Sequence, residues 1–379
     1  MSECLSRILS PLDTSSFLRH YQSREHFHVA RNSPSWYDDL LSAADLDVVF
    51  QSEHLPAAFV NVVKEGKRYP IEEWSRAAAS VRGEACVAVP EKLLELYSEG
   101  ATLVLNRADR VVPPLNALCR KLTVELGFPA GANVYITPRQ AAGFSNHVDD
   151  HEALVLQIAG SKRWLLFVND APVVEIDLHP GDLLYLPRGL AHGARAQECD
   201  SIHVTVGLAP IYAFELIREL AALAAGDVDF ERPVPPQFAG ENAMRTFEEA
   251  FLAQLQSLIL RTKLSDLLDR RFQSLVENQV RGWAGRLSDM RGVRDMTTET
   301  IVCRRPGILT NVKSEGKFNS VEFAGKRVVV PGFLHGAIAK IMEENAFAIG
   351  EIEGFIGSSG KVKLVAEFVK AGLLRIVRL

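Results

Sequence analysis

The chain has 379 residues, which suggests two or three domains of ordinary size. Apolar residues make up 47% and charged residues 23%, a balance that excludes wholesale disorder and leaves ample material for a core. Forty-two Lys and Arg against 47 Asp and Glu give a net charge of −5, which weighs against a protein that lives on nucleic-acid backbone.

In chain order, helical patterning around Phe17 and Leu18 opens a mixed region that runs to about Pro210. Its second half is rich in strand signals. Asn133-Val134-Tyr135-Ile136-Thr137 ends at Pro138, and Leu154 to Ile158 is followed by a turn at Gly160-Ser161. Trp164 to Val168 is closed by Asn169-Asp170. Pro180-Gly181-Asp182 introduces Leu183 to Leu186, Pro187-Arg188-Gly189 ends it, and Ile202 to Val206 alternates before Gly207. Short strands at this spacing predict a sandwich or barrel. From Tyr212 to about Trp283 the pattern is helical, with stripes at Phe247, Phe251, Leu255 and Leu258 and then from Leu264 to Val276, interrupted at Pro233, Pro235 and Pro236. Two long helices with few loops cannot bury both faces alone, so a symmetric homodimer is expected. From Met296 the texture is mixed again. Leu334, Ile338, Ile341 and Met342 form one helical stripe, and Ile349, Ile352 and Ile356 a second. A third helix is expected to be capped by Ser359 and stopped by Gly372, with a strand after it, which together read as a winged-helix unit. From Pro331 to Leu379 the net charge is only +1, too weak for phosphate binding, so nucleic acid is not an expected partner.

Neither a membrane-length apolar run nor a signal-peptide core is visible. Cys4, Cys86, Cys119, Cys199 and Cys303 are odd in number and never form a C-x-x-C pair. They read as reduced thiols of a cytoplasmic protein.

The strongest chemical signal is His147-Val148-Asp149 with His192 lying 43 positions beyond Asp149. On a strand, residues two apart share a face, so His147 and Asp149 can both project into a barrel while His192 returns opposite them. Two imidazoles and one carboxylate leave three positions of an octahedral metal open, the arrangement of the non-haem Fe(II) oxygenases. An H-x-D triplet is common by chance, and a single His192 would read as a satisfied loop histidine. Lys162 adds weight. A lysine just past a turn between two apolar strands is costly unless paired. A dicarboxylate would pair it, with the Tyr135 hydroxyl as a second donor.

At these residues the sequence resembles the JmjC-type, cupin-fold ribosomal oxygenases, which are 2-oxoglutarate-dependent protein hydroxylases. The resemblance rests on four ordered stretches: Gly100 to Gly127, Asn133 to Pro138, Gly143 to Trp164 (GFSNHVDDHEALVLQIAGSKRW), and Pro180 to Ala194 (PGDLLYLPRGLAHGA). It implies an α+β fold. A double-stranded β-helix (cupin, jelly-roll) barrel with N-terminal helices would occupy 1–210, a helical dimerisation domain 211–290, and a winged-helix-like domain 291–379. It implies Fe(II) on His147, Asp149 and His192. It places Lys162 on the distal carboxylate of 2-oxoglutarate and Tyr135 and Asn133 along the cosubstrate pocket, with His203 and Thr205 on a late strand facing it. The implied reaction uses O2 to hydroxylate a side chain of a protein, ribosomal proteins first, and releases succinate and CO2. The alternatives are a biosynthetic peptide or small molecule as substrate, demethylation by the same centre, or a non-catalytic cupin binding module. Val148 and Asn146 depart from the family's usual residues and bear on the substrate entrance.

Five further polar residues are not promoted. Asp150 has the opposite parity to Asp149, His151 follows a turn, and His179 reads as a solvated loop histidine. Arg188 fits a salt bridge as well as a substrate contact. Cys199 has no base beside it.

Overall fold

A computed structural model of the chain describes residues 3–52, 54–80, 83–168, 173–279, 282, 284–343, 345–354 and 356–379. The turn expected at Asn169-Asp170, and Trp283 at the expected end of the helical stretch, lie outside these residues. The chain forms two compact units, Met1–Pro210 and Ile211–Leu379. Among the described residues no helix is long and apolar enough to cross a membrane.

The first unit begins with α1 (Glu3–Leu9), α2 (Thr14–Ser23), β1 (Phe27–Val29), α3 (Ala43–Phe50), β2 (Val60–Lys64), β3 (Lys67–Arg68) and α4 (Ile71–Trp74). The hairpin β4 (Ser75–Ser80) and β5 (Gly83–Ala88), α5 (Pro90–Ser98), β6 (Thr102–Leu105) and α6 (Pro113–Leu126) follow. Then come seven strands: β7 (Ala130–Thr137), β8 (Glu152–Ala159), β9 (Lys162–Phe167), β10 (Val174–Leu178), β11 (Leu183–Leu186), β12 (Ala191–Ala196) and β13 (Ser201–Leu208). Eight strands form the larger sheet in the order β1-β11-β8-β13-β7-β6-β2-β3, and three form the smaller one in the order β10-β9-β12. Segment 142–147 extends the smaller sheet beyond β12 through two isolated bridges, Ala142 to Arg195 and His147 to His192. The chain thus passes repeatedly between two facing sheets, which is the winding of a cupin-type jelly roll.

Burial explains the strand patterns. Every residue of β8 from Glu152 to Gln157 is buried, so its centre, Ala153 to Leu156, reads as an unbroken apolar run. Leu154 and Leu156 join the core beneath the N-terminal helices. Ala153 and Val155 face inward with Trp164, Leu166, Leu184 and Leu186 to form the wall of the barrel. Burying each of these larger side chains contributes about 1.5–3 kcal/mol. The expected Pro180-Gly181-Asp182 turn is present, with Gly181 at φ +92° and a Cβ there falling 2.1 Å from the Ser33 carbonyl oxygen. Asp182 is buried and accepts from the backbone N–H groups of Arg31 and His179.

In the second unit, α7 (Ala213–Ala225), α8 (Glu241–Arg261), α9 (Leu264–Asn278) and α10 (Arg286–Gly292) precede two three-stranded sheets. One sheet is β15 (Asn311–Glu315), β16 (Phe318–Phe323) and β17 (Lys326–Pro331). The other sets β14 (Ile301–Arg304) between β18 (Phe347–Ala348) and β19 (Leu374–Arg378). Helices α11 (His335–Met342) and α12 (Ser358–Ala371) pack on a shared core that includes Val302, Ile338, Val365 and Phe368. Two local expectations are corrected. Ile349 and Ile352 do not belong to an α-helix: Ile349–Glu351 is a single 3-10 turn that drops both isoleucines into the core. Ser359 lies inside the first turn of α12, and the capping position is Gly357, without a side-chain cap. Gly372 ends α12 in the left-handed conformation, as expected.

Replacing Gly181 by Ala combines a disfavoured φ with a backbone clash. The variant is expected to lose more than about 2 kcal/mol in urea unfolding of the purified protein, and an unchanged midpoint would contradict this account of the turn.

Candidate metal centre

His147 and Asp149 do not lie on a continuous strand, contrary to the parity argument. They sit in the segment between β7 and β8, where only His147 is bridged. The pairing is nonetheless firm. His147 N–H donates to the His192 carbonyl and His192 N–H donates to the His147 carbonyl, both at 2.9 Å. One residue beyond Val148, the Asp149 carbonyl accepts from Gly189 N–H at 3.0 Å. Backbone clamps, not strand periodicity, therefore aim the three side chains.

The imidazoles are oriented by their far nitrogens. His147 Nδ1 lies 2.9 Å from the Ser145 carbonyl and His192 Nδ1 lies 2.9 Å from the Leu190 carbonyl. A carbonyl only accepts, so each Nδ1 carries the proton and each Nε2 keeps its lone pair for a metal. The two Nε2 atoms stand 3.7 Å from opposite oxygens of Asp149. All three donor atoms fall within 4.8 Å of one another, the spacing of ligands around one ion. His192 is buried, and desolvation with His147 beside it holds its pKa below the usual histidine value, which favours the neutral, ligating form. Asp149 and His147 are partly exposed, so the centre faces an opening.

Lys162, Tyr135, His203 and Thr205 line the same pocket as the triad. They arrive from three strands: Tyr135 and His203 are register partners on β7 and β13, and Lys162 opens β9. Lys162 is 3% exposed, and its Nζ donates to Thr137 Oγ1 at 2.9 Å. Among the described residues no carboxylate pairs with it, and desolvation lowers its pKa to about 7. A buried ammonium with one hydroxyl partner is a site built for an anion. The Tyr135 ring stacks on the His203 ring at 4.6 Å, and burial pushes the Tyr135 hydroxyl up to about 12, so it remains a hydrogen-bond donor. His203 is buried and its pKa is driven well down by desolvation, so it is neutral. Its Nδ1 and the Nε1 of Trp164 have no protein hydrogen-bond partner, as expected for a pocket meant to hold a polar guest.

Asn133 is placed differently. It shares the inner face of β7: its Oδ1 accepts from Arg107 N–H at 2.9 Å, and its side chain is also hydrogen-bonded to Tyr135, which lines the pocket. Sequence reasoning missed Thr137 and Thr102, whose hydroxyls are 3.2 Å apart beside Lys162. Extending the period-2 face of β7 by one more step from Tyr135 would have found Thr137. Trp164 has the same parity as Lys162 and also lines the pocket, although the sequence marks it only as the start of a strand. The residues set aside stay outside the triad: Asp150 is exposed, His151 leans on Asp150 at 3.1 Å, and His179 and Cys199 are exposed. Arg188 spends its backbone N–H on Glu152.

Residues 109–172 and 166–216 match the family model of the JmjC domain. Among curated proteins, ribosomal oxygenase 1 of Homo sapiens is 31% identical over 265 residues, covering 61% of this chain and 39% of that protein. The bifunctional lysine-specific demethylase and histidyl-hydroxylase NO66 of Drosophila willistoni is 28% identical over 239 residues, covering 57% of this chain and 30% of that protein. The chain thus spans well under half the length of these two relatives. Among solved structures, the ribosomal oxygenase YcfD of Escherichia coli aligns over 97% of this chain and 98% of its own, at 16% identity and a TM-score of 0.57, which shows a shared fold. The same protein in complex with cobalt and 2-oxoglutarate gives a TM-score of 0.55. The chain therefore carries a JmjC domain and is a relative of the JmjC-type ribosomal oxygenases.

Proposed function

We propose that this protein is an Fe(II)- and 2-oxoglutarate-dependent oxygenase that hydroxylates a protein side chain, a ribosomal protein being the first candidate. The observation that carries this reading is the meeting of a His-Asp-His donor set with a buried, unpaired ammonium in one pocket. When bound, ferrous iron with 2-oxoglutarate and O2 supplies the oxidation, giving succinate, CO2 and a hydroxylated C–H position. His147, Asp149 and His192 would hold the metal and leave a face of it open. Lys162, backed by Thr137, would bind the distal carboxylate of the cosubstrate. Tyr135, neutral and stacked on His203, would donate a second hydrogen bond. The apolar barrel wall of Val155, Trp164 and Leu186 would exclude water from the centre. Demethylation is the second reading, supported by the demethylase and hydroxylase named together in the NO66 relatives. It uses the same donor set on a methyl C–H.

The assembly we propose is a homodimer through the helical stretch that follows Pro210. No described residue of α7 is buried, and on α8 only Leu258 is. Leu252, Ile259 and Leu260 stand more than half exposed. The following mixed region would serve as a winged-helix-like domain, and the scattered, unpaired cysteines suit a reducing cytoplasm.

Three outcomes test the chemistry and a fourth the assembly. Asp149→Ala should weaken Co(II) or Fe(II) binding, followed by calorimetry, by at least the roughly 10–100-fold that a ligand's supporting hydrogen bond is worth. It should also abolish substrate-dependent succinate formation, as a chelator should in the parent protein. Unimpaired turnover in the variant would remove the iron assignment. Lys162→Met should retain the metal and weaken 2-oxoglutarate about 10- to 100-fold, the loss of one charge-assisted bond. The pH dependence has a definite sign. The free pocket holds Lys162 protonated only below about pH 7, so above that value binding of the 2-oxoglutarate dianion must be coupled to uptake of a proton from solvent by Lys162. Its affinity in metal-loaded protein should fall by roughly tenfold per pH unit there, and Lys162→Met should flatten the profile. Light scattering should give a mass of two chains in solution, and Leu260→Asp should reduce it to one; a monomer at micromolar concentration would exclude the dimer.

A further inference from the structure

Arg68 is a basic residue that the chemistry above leaves unused. It ends β3, the edge strand of the eight-stranded sheet. Its side chain takes the barrel side of that sheet, as the register shows. Tyr135 pairs with Val104 across β7 and β6, so Thr137, two residues on, falls beside Thr102, and the two hydroxyls are 3.2 Å apart. Thr102 pairs with Val63 of β2, and Val63 pairs with Arg68. One row of side chains therefore runs from Thr137 through Thr102 and Val63 to Arg68. Lys162 is bonded to the inner end of the row, and Arg68 stands at the outer end. Lys67, the preceding residue of β3, pairs with Lys64 and takes the opposite side.

An exposed arginine is ordinarily a solvated surface charge. This one is held at the mouth of the metal pocket. Its guanidinium lies 5.5 Å from the centre of the Phe144 ring, which lines that pocket 5.8 Å from the His147 ring. The hairpin that carries it is tied to the segment that carries Phe144. Glu65 N–H donates to the Ala142 carbonyl at 3.0 Å, and Gly66 N–H donates to the Gly143 carbonyl at 2.7 Å. Gly66 has φ +82°, and a Cβ there would fall 2.9 Å from Ser145 Cβ, so the turn and the segment touch with no room to spare. The Tyr135 hydroxyl feels the charge: burial and Asp149 raise its pKa, and Arg68 opposes them. Among the described residues no carboxylate pairs with Arg68.

We propose that Arg68 captures 2-oxoglutarate at the mouth of the metal pocket and hands it inward to Lys162. This rests on the oxygenase reading above. The cosubstrate is a dianion at neutral pH, and the chain carries a net charge of −5, so its approach is opposed at long range. Lys162, at 3% exposed, offers little of its charge to the solvent. Arg68 is exposed, keeps its charge at every working pH, and lies on the row of side chains that ends at Lys162. A guanidinium resting on an aromatic face keeps its N–H edge free for a carboxylate. The cation at the entrance then governs the rate of arrival, and the ammonium on the floor governs the length of stay.

The test follows association and dissociation of 2-oxoglutarate by anaerobic stopped-flow absorbance of the Fe(II)-loaded, full-length protein. At low ionic strength Arg68→Gln should slow association roughly 3- to 10-fold and leave dissociation unchanged. Arg68→Lys should restore the rate, and Arg68→Glu should slow it further. The gap between Arg68→Gln and wild type should close toward ~1 M salt, where charges are screened within about 3 Å. Lys67→Gln removes the same net charge from the opposite side of β3 and should leave association unchanged. Lys162→Met should act on dissociation instead. An association rate unaltered in Arg68→Gln, or lowered equally in Lys67→Gln, would overturn the capture role, as would a loss confined to dissociation. A parent protein whose spectrum does not respond to 2-oxoglutarate would instead remove the oxygenase reading, and this inference with it.

Discussion

Two reciprocal backbone hydrogen bonds between His147 and His192 are the constraint on which the site depends. They join a segment with no strand of its own to the edge of β12 and set both imidazoles facing one point. Each far nitrogen is then tied to a carbonyl two residues away in sequence, Ser145 for His147 and Leu190 for His192. Neither tautomer is left free, so both Nε2 lone pairs are directed at Asp149 before any ion arrives. The carboxylate needs only its own backbone contact with Gly189 to complete the set. Preorganisation of this kind lowers the conformational cost of binding.

The second constraint is a charge placed where it is expensive. Lys162 opens β9 with its ammonium inside the barrel, where among the described residues it donates to one threonine hydroxyl, that of Thr137. A folded protein tolerates a buried ammonium by neutralising it or by using it. The lowered pKa of Lys162 is the first of these, and an anionic guest would be the second. The stacked pair of Tyr135 and His203 and the open nitrogens beside it belong to the same economy of polar groups held ready. A barrel filled with hydrocarbon would be more stable. The polar interior is therefore best understood as a cost borne for binding.

Much of this was legible in the sequence, for physical reasons that can be named. The strands of the barrel carry alternation or unbroken apolar runs because one or both faces are buried, as in β8 and β13. The donor set was legible because few chemistries use H-x-D with a distant histidine beside a buried lysine. What misled was the assumption that spacing of two implies a strand: His147 and Asp149 converge through clamps to residues 189 and 192, and no local pattern encodes those. Asn133 kept the parity of Tyr135, but its second bond, from Arg107 N–H to its Oδ1, is to a residue that no local pattern pairs with it. The apparent second helix at Ile349 failed for a similar reason, since three isoleucines at suitable spacing serve a 3-10 turn and a core equally well. The small strands near the N-terminus left little pattern because β1 and β3 have only three and two residues.

The most direct test of the central claim is optical. Fe(II) and then 2-oxoglutarate are added to the protein without oxygen, and the visible spectrum is recorded. Convergence of His147, Asp149 and His192 with Lys162 predicts a metal-to-ligand charge-transfer band in the parent protein, absent in Asp149→Ala and needing far more 2-oxoglutarate in Lys162→Met. A parent protein that binds Fe(II) at other residues, or shows no band at saturating 2-oxoglutarate, would contradict the account.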